Sequence, residues 1–222
     1  AAMINAAYCT GKDLKSLRVV VSGAGAAAIA AVHMFLELGL KRENIVLNDS
    51  HGIVSAERKD LTAEKREFAT TRHLASMAEA LVDADVFLGV SKPGVLTAEM
   101  IRTMAPHPII LALANPDPEI TRDEDLAARN DVIYASGRSD TPNQVNNLLC
   151  FPYMFRGALD VRARRITEQM KIAAAHALAQ LAREEVPQQV RELLVREDLA
   201  FGPDYIIPSP FDPRLREIIP AA

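Results

Sequence analysis

The 222-residue chain is short of several things, and each shortage removes a class of function. It has two cysteines, Cys9 and Cys150, far apart and in no metal-ligand spacing. That excludes a disulfide framework or a cysteine-based zinc site, and both read as small apolar residues, reduced in a cytosol. No hydrophobic run approaches the roughly 20 residues that a membrane span needs, and no basic stretch precedes an apolar one near the start, as in a secretory leader. A membrane partner is therefore excluded, and a cytoplasmic location is the expectation. Positive charge is in deficit, with 25 Lys+Arg against 29 Asp+Glu and a net charge of −4. This balance gives no general attraction to nucleic acid or anionic lipid. Apolar residues are not lacking: at 49% they supply the core of one large domain, or of a domain with an appendage.

The densest local signal is Leu17 to Ala28, LRVVVSGAGAAA, where an apolar run meets a Gly-Ala-Gly turn that opens into an Ala-rich helical segment. Leu17–Val21 reads as a buried parallel strand. Gly23, Gly25 and Ala28 fall on the three small positions of the G-x-G-x-x-G/A fingerprint of a dinucleotide site. Gly23 permits the tight turn, Gly25 clears a Cβ from the path of phosphate oxygens, and Ala28 lets the helix lie close to the strand. The helix N-terminus offers N–H donors and partial positive charge to an anion. A helical run, Ile29–Leu40, leads to a second strand from Asn44 that ends on Asp49, 21 residues after Ala28. An acidic side chain at that point accepts hydrogen bonds from an adenosine ribose.

Strand, loop and helix then alternate. Val86–Val90, Ile109–Ala114 and Val132–Ser136 read as further buried strands, with helices over about His73–Val82 and Thr121–Asn130. The pattern predicts an α/β fold of the Rossmann type: a doubly wound, mainly parallel sheet with helices on both faces and a C-terminal helical extension. Small or polar residues follow every strand: Gly23-Ala24-Gly25, Asn48-Asp49-Ser50, Gly89-Val90-Ser91-Lys92, Asn115-Pro116 and Gly137-Arg138-Ser139. In such sheets ligands bind at that edge. Four amides, Asn143, Gln144, Asn146 and Asn147, then precede an apolar helix. They suit a carboxylate or carbonyl, and any one of them also suits a helix cap.

A long helix over Arg165–Arg183 follows, its apolar stripe read as packing. Residues 1–162 are read as the nucleotide-binding domain and 163–222 as a helix and Pro-rich return packed on it. Ala1–Tyr8 has helical spacing, with Met3, Ile4, Ala7 and Tyr8 on one face, but begins without a cap. The chain reads as a piece of a longer protein. Phe201–Pro213 and the long helix are the expected oligomer contacts, since their apolar content otherwise faces water.

Taken together, SGAGAAAIA, ALANPDPEI, ASGRSDTPNQVNN and FPYMFRGALD resemble the coenzyme-binding domain of bacterial malic enzymes, particularly the long form fused to a phosphotransacetylase-like domain. The likeness runs from about Met3 to Pro213. It implies oxidation of L-malate with NAD(P)+ and decarboxylation to pyruvate, assisted by Mg2+ or Mn2+. By this resemblance Gly23, Gly25, Ala26, Ala27 and Ala28 hold the coenzyme phosphates, Asp49 and Ser50 the adenosine ribose, and Ser91 the path toward the nicotinamide. Asn115 and Asn147 match two asparagines near the nicotinamide and the malate carboxylate, with Asn146 competing for the second role. The family draws its catalytic tyrosine and lysine and its metal ligands from a preceding segment. This chain is expected to hold no catalytic residue and no metal ligand, to be inactive alone, and to work with that missing N-terminal malic domain in a homo-oligomer.

The acidic groups Asp83, Asp85, Asp117, Glu119 and Asp123–Asp125 read as solvated helix-end or loop carboxylates. Lys92 reads as a phosphate or solvent contact, and His51 as a turn residue. Asp49 by itself favours NAD, while Arg58 and Lys59 on the next loop offset its charge and the resemblance favours NADP. Two other readings stand beside this one: the coenzyme domain of an amino-acid-type dehydrogenase, and a nucleotide-binding module without chemistry.

Overall fold

A computed structural model describes residues 1–222. Its strands are β1 (Val19–Ser22), β2 (Ile45–Asp49), β3 (Gly52–Ile53), β4 (Val86–Gly89), β5 (Ile109–Ala112) and β6 (Ile133–Ser136). The helices are α1 (Ala2–Cys9), α2 (Ala26–Glu37), α3 (Ala63–Glu67), α4 (Met77–Leu81), α5 (Ala98–Arg102), α6 (Arg122–Ala128), α7 (Phe151–Asp160), α8 (Glu168–Arg183), α9 (Gln188–Leu193) and α10 (Leu215–Ala221). They form two compact units, one of residues 10–137 and one of residues 1–9 with 138–222. The sequence places a break at 162, whereas the units divide at the end of the last strand, because nothing beyond β6 pairs with the sheet.

The first unit contains the whole sheet, in the order β3-β2-β1-β4-β5-β6. Every pairing is parallel except that of β3 with β2. The chain thus winds outward from β1 in both directions, the doubly wound arrangement expected from the pattern, with its switch point between β1 and β4. Val46, Val20, Phe87, Ile110 and Tyr134 lie side by side across five strands. They form one core with Leu81, Ile101 and Met104 from the α4 and α5 region. The adjoining row, Leu47, Val21, Leu88, Leu111 and Ala135, points the other way and is equally buried. Both faces are covered, which is why these strands read as continuous apolar runs rather than alternating ones.

Local signals set the short helices. Ser76, Thr97 and Thr121 cap α4, α5 and α6 through their side chains, and Thr121 with Glu124 completes a capping box. The helix expected over His73–Val82 is confined to α4, and β3, only two residues long, carries no periodicity to read. Two of the carboxylates read as solvated are in fact fully buried: Glu119 and Asp125, both at 0% exposure. Asp83, Asp117 and Asp123 do lie at the surface. Asp85 is partly buried and accepts from Lys12 Nζ at 2.8 Å and Arg18 N at 2.9 Å.

In the second unit α1 packs on α8, and α10 on α7 and α8. Asn5, fully buried, donates to the carbonyls of Ala179 and Ile206 and accepts from Arg183 Nε at 2.8 Å, bolting three segments together. The guanidinium of Arg183 lies 4.2 Å from the Tyr8 ring centroid, so Tyr8 stays exposed instead of joining the buried face with Ala2, Met3, Ala6 and Ala7. Tyr205, Ile206 and Ile207 of the Pro-rich return are buried within their own unit. The expectation that the apolar content of this return faces water holds for Phe211, which is exposed, and not for these three. Large apolar residues left in solvent include Leu148, Phe151, Phe155, Leu159 and Val161 around α7 and Leu193, Leu194 and Val195 at the end of α9.

Candidate functional site

At the end of β1 the chain turns through Gly23, whose φ of +118° belongs to glycine and whose Cβ, if present, would sit 2.8 Å from the carbonyl oxygen of Val90. A side chain there is impossible on both counts. The turn hands over to α2 at Gly25, the N-cap, which makes no side-chain capping bond. Gly25, Ala26 and Ala27 are exposed while Ala28 is buried at 1%. The first-turn N–H groups of a 12-residue helix are thus presented to solvent. A Cβ on Gly25 would meet nothing within 4 Å, so the glycine leaves open exactly the volume a side chain would fill. That cradle fits an anionic diphosphate.

Ser91 follows β4. Its hydroxyl lies 2.8 Å from that of Ser22 at the end of β1, which joins the two strand ends that flank the switch point. Asn115 follows β5, exposed, with a cis peptide bond to Pro116. Its amide donates to Leu113 O at 3.2 Å, and a Cβ on Gly137 past β6 would approach its Oδ1 to 3.1 Å. Gly23, Gly25–Ala28, Ser91 and Asn115 thus share the C-terminal edge of one sheet, as their positions after the strands require.

Asp49, at the end of β2, is differently placed from what the sequence suggests. Its carboxylate accepts from Arg58 Nη1 (2.8 Å) and Nη2 (3.2 Å), Lys65 Nζ (2.6 Å) and the backbone N–H of His51 (2.9 Å). Four donors saturate the two oxygens. Burial pushes its pKa up, but the hydrogen bonds from Arg58 and Lys65 outweigh that and hold it well below the usual carboxylate range. Arg58 also grips Asp60 through Nε (2.9 Å) and Nη2 (2.7 Å), and the His51 ring meets Asp60 at 2.9 Å. Ser50 is exposed in the turn between. Lys59 is exposed with no bond, and Lys65, on α3, stands beside Asp49 where Lys59 is expected. No sequence pattern singles out Lys65; only the fold carries it back to Asp49.

The amides of the second unit separate by role. Asn143 is buried, donates to Pro203 O at 2.7 Å and accepts from Ile206 N at 2.8 Å, clasping the Pro-rich return. Asn146 caps a short 3-10 turn, its Oδ1 accepting from Leu148 N at 2.9 Å. Asn147 is exposed, and its side chain makes no intramolecular hydrogen bond. No three His, Cys, Asp or Glu side chains come together in a metal-ligating group. The carboxylate of Glu119 was also missed as a contributor: it touches the backbone beside both Ser91 and Asn115.

A doubly wound parallel sheet with an uncapped helix N-terminus behind a glycine turn at its switch point defines a dinucleotide-binding type of domain. Residues 1–194 match the family model described as malic enzyme, NAD binding domain. The chain belongs to the malic enzyme family. It is 51% identical, over all of its own length and 53% of the relative's, to an NADP-dependent malic enzyme of Halomonas elongata. It is 49% identical to an NAD-dependent malic enzyme of Rhizobium meliloti, over 97% of this chain and 28% of that one. Among solved structures, a malic enzyme of Entamoeba histolytica superposes with a TM-score of 0.87 at 35% identity, covering 99% of this chain and 44% of that one. The chain therefore spans about half, or less, of the length of the relatives it matches.

Proposed function

We propose that this chain is the coenzyme-binding part of a protein that oxidises L-malate and decarboxylates it to pyruvate and CO2, with NADP+ as the preferred coenzyme and NAD+ the alternative. The observation that carries the reading is the open N-terminus of α2 behind Gly25, at the switch point of a sheet whose sequence belongs to the malic enzyme family. The backbone N–H groups of Ala26, Ala27 and Ala28 take the pyrophosphate, with the helix dipole behind them. Bound coenzyme supplies the hydride acceptor at its nicotinamide ring.

Ser91 and Asn115 border the nicotinamide end, and their neutral hydroxyl and amide orient the ring without cancelling its charge. Asn147, whose amide is free, suits the malate carboxylate better than Asn146, whose oxygen is committed to a cap. Asp49 serves as a platform rather than as a ribose acceptor. Arg58 and Lys65 are seated on it and Asp60 holds Arg58 from the other side, so two positive charges balance two negative ones, and the Lys65 ammonium and Arg58 guanidinium are the groups that favour a 2′-phosphate over a bare hydroxyl. Ser50 lies in the turn beside that group.

The acid–base groups and the ligands for Mg2+ or Mn2+ belong, in this reading, to the rest of the longer protein, because this chain assembles no such donor set. The preceding malate-binding segment and further copies of the chain are its partners. No helix is long and apolar enough to cross a membrane, in keeping with work on small solutes in the cytoplasm. Calorimetric titration of the full-length protein with NADP+ and NAD+ tests the reading. Tighter binding of NADP+ is expected, and binding of neither coenzyme would overturn it.

A further inference from the structure

We propose that Glu119 is a positioning residue: its buried carboxylate locks the ends of β4 and β5 together and so fixes Ser91 and Asn115 for the nicotinamide. The inference rests on the coenzyme reading above. The last ladder bond between these strands runs from Leu113 N to Gly89 O at 2.9 Å. Past it, the N–H groups of Ser91 and Ala114 have no strand partner. Glu119 accepts both, Oε1 from Ser91 N at 2.9 Å and Oε2 from Ala114 N at 3.0 Å, and Oε1 also lies 3.4 Å from the Ser91 hydroxyl.

A single rigid carboxylate thus sets the spacing of two loops, one oxygen for each. Ser91 is held from a second side by Ser22, so its position is fixed by β1 as well. Gly89 makes room for the arrangement. A Cβ there would lie 2.2 Å from the carboxyl carbon of Glu119, so the glycine is needed for the close approach of the acid to the β4 backbone. Glu119 itself is fully buried and does not reach solvent. It acts through the two residues it holds.

Glu119→Gln keeps the volume and one oxygen but turns an NH2 group toward one of the two N–H donors, which frees one strand end. Ser22→Ala removes the second hold on Ser91 and leaves Glu119 in place. The full-length protein and both variants are titrated with 2′,5′-ADP, which reads the adenosine end alone, and with NADPH, whose fluorescence reads the nicotinamide. For Glu119→Gln, affinity for 2′,5′-ADP is expected within about twofold of wild type, while NADPH binds about tenfold more weakly and loses its fluorescence enhancement. Ser22→Ala is expected to move NADPH the same way by a smaller factor.

Unchanged NADPH affinity and emission in Glu119→Gln would overturn the proposal. So would equal losses for both ligands, which describe a general stabiliser. If Glu119→Gln does not fold, Glu119→Asp decides: its shorter side chain keeps the charge but cannot span both N–H groups, and NADPH behaviour identical to wild type rejects the proposal. Failure of the wild-type protein to bind either ligand would instead bring down the coenzyme reading, and this inference with it.

Discussion

Asp125 makes the stability of this fold fall as pH rises. It lies on α6 with 0% exposure, and neither carboxylate oxygen has a hydrogen-bond partner. Burial pushes its pKa from 3.8 up to about 7, with Arg122 opposing the shift only in part. Between about pH 4 and pH 7 the folded chain keeps a proton that the unfolded chain gives up. This one group therefore lowers the stability of the folded state across that window, by about 1.4 kcal/mol per pH unit and about 4 kcal/mol in all, and its contribution is complete above about pH 7.

From pH 5 to pH 8 this one group removes about 2.7 kcal/mol. Carboxylates held low by partners, such as Asp49 and Asp131, lose their contribution only as the pH falls below that range. Asp125→Asn cannot ionise, so its stability relative to wild type is expected to grow by about the same 2.7 kcal/mol between pH 5 and pH 8. Urea denaturation of both proteins at pH 5, 6, 7 and 8 measures the difference at each point. Parallel profiles would refute the reasoning, since they would mean that the carboxyl is solvated or paired in solution. Asp125→Leu, which also removes the unsatisfied polar atoms, is expected to be more stable than Asp125→Asn at every pH.

Other perturbations separate the parts of the site. Gly25→Val is tolerated by the fold, because its backbone φ of −88° suits any residue and its Cβ meets nothing. It is expected to weaken coenzyme binding at least about tenfold, with an unchanged melting temperature; intact affinity in calorimetry would remove the phosphate assignment. Asn115→Ala, at an exposed position, should alter stability by no more than about 0.5 kcal/mol while lowering malate turnover at least about tenfold. A turnover within about twofold of wild type, roughly 0.4 kcal/mol of barrier, would leave Asn115 without a role in the reaction. Lys65→Ala should weaken NADP+ at least about tenfold and NAD+ by less than about twofold, and equal losses in parallel titrations would dissociate Lys65 from the 2′-phosphate.

The sheet was legible because its strands are buried on both faces, so Val19–Ser22, Val86–Gly89 and Ile109–Ala112 stand out as unbroken apolar runs whatever surrounds them. The glycine turn was legible for a related reason. Gly23 and Gly25 answer to backbone geometry within a few residues of themselves, and Ala28 to the contact of one helix with one strand. The edge strand Gly52–Ile53 was not, since two residues cannot show a period.

Side-chain roles divided along the same line. Glu119 and Asp125 sit in a run of acids, PDPEITRDED, whose composition reads as solvated, and burial by distant strands and helices cannot be seen from their neighbours. Asp49 reads as an open acceptor until α3 folds back and brings Lys65 to 2.6 Å from it. Four adjacent amides read alike until Pro203 and Ile206, some 60 residues on, take up Asn143.

The sequence by itself determined the sheet, the place of its ligand edge and the glycine turn, because these follow from hydrophobic period and from backbone sterics, which act over a few residues. Only the tertiary structure decided which polar groups are free, which are clasped and which are buried without a partner, because each of those answers depends on atoms that the chain brings together from far apart.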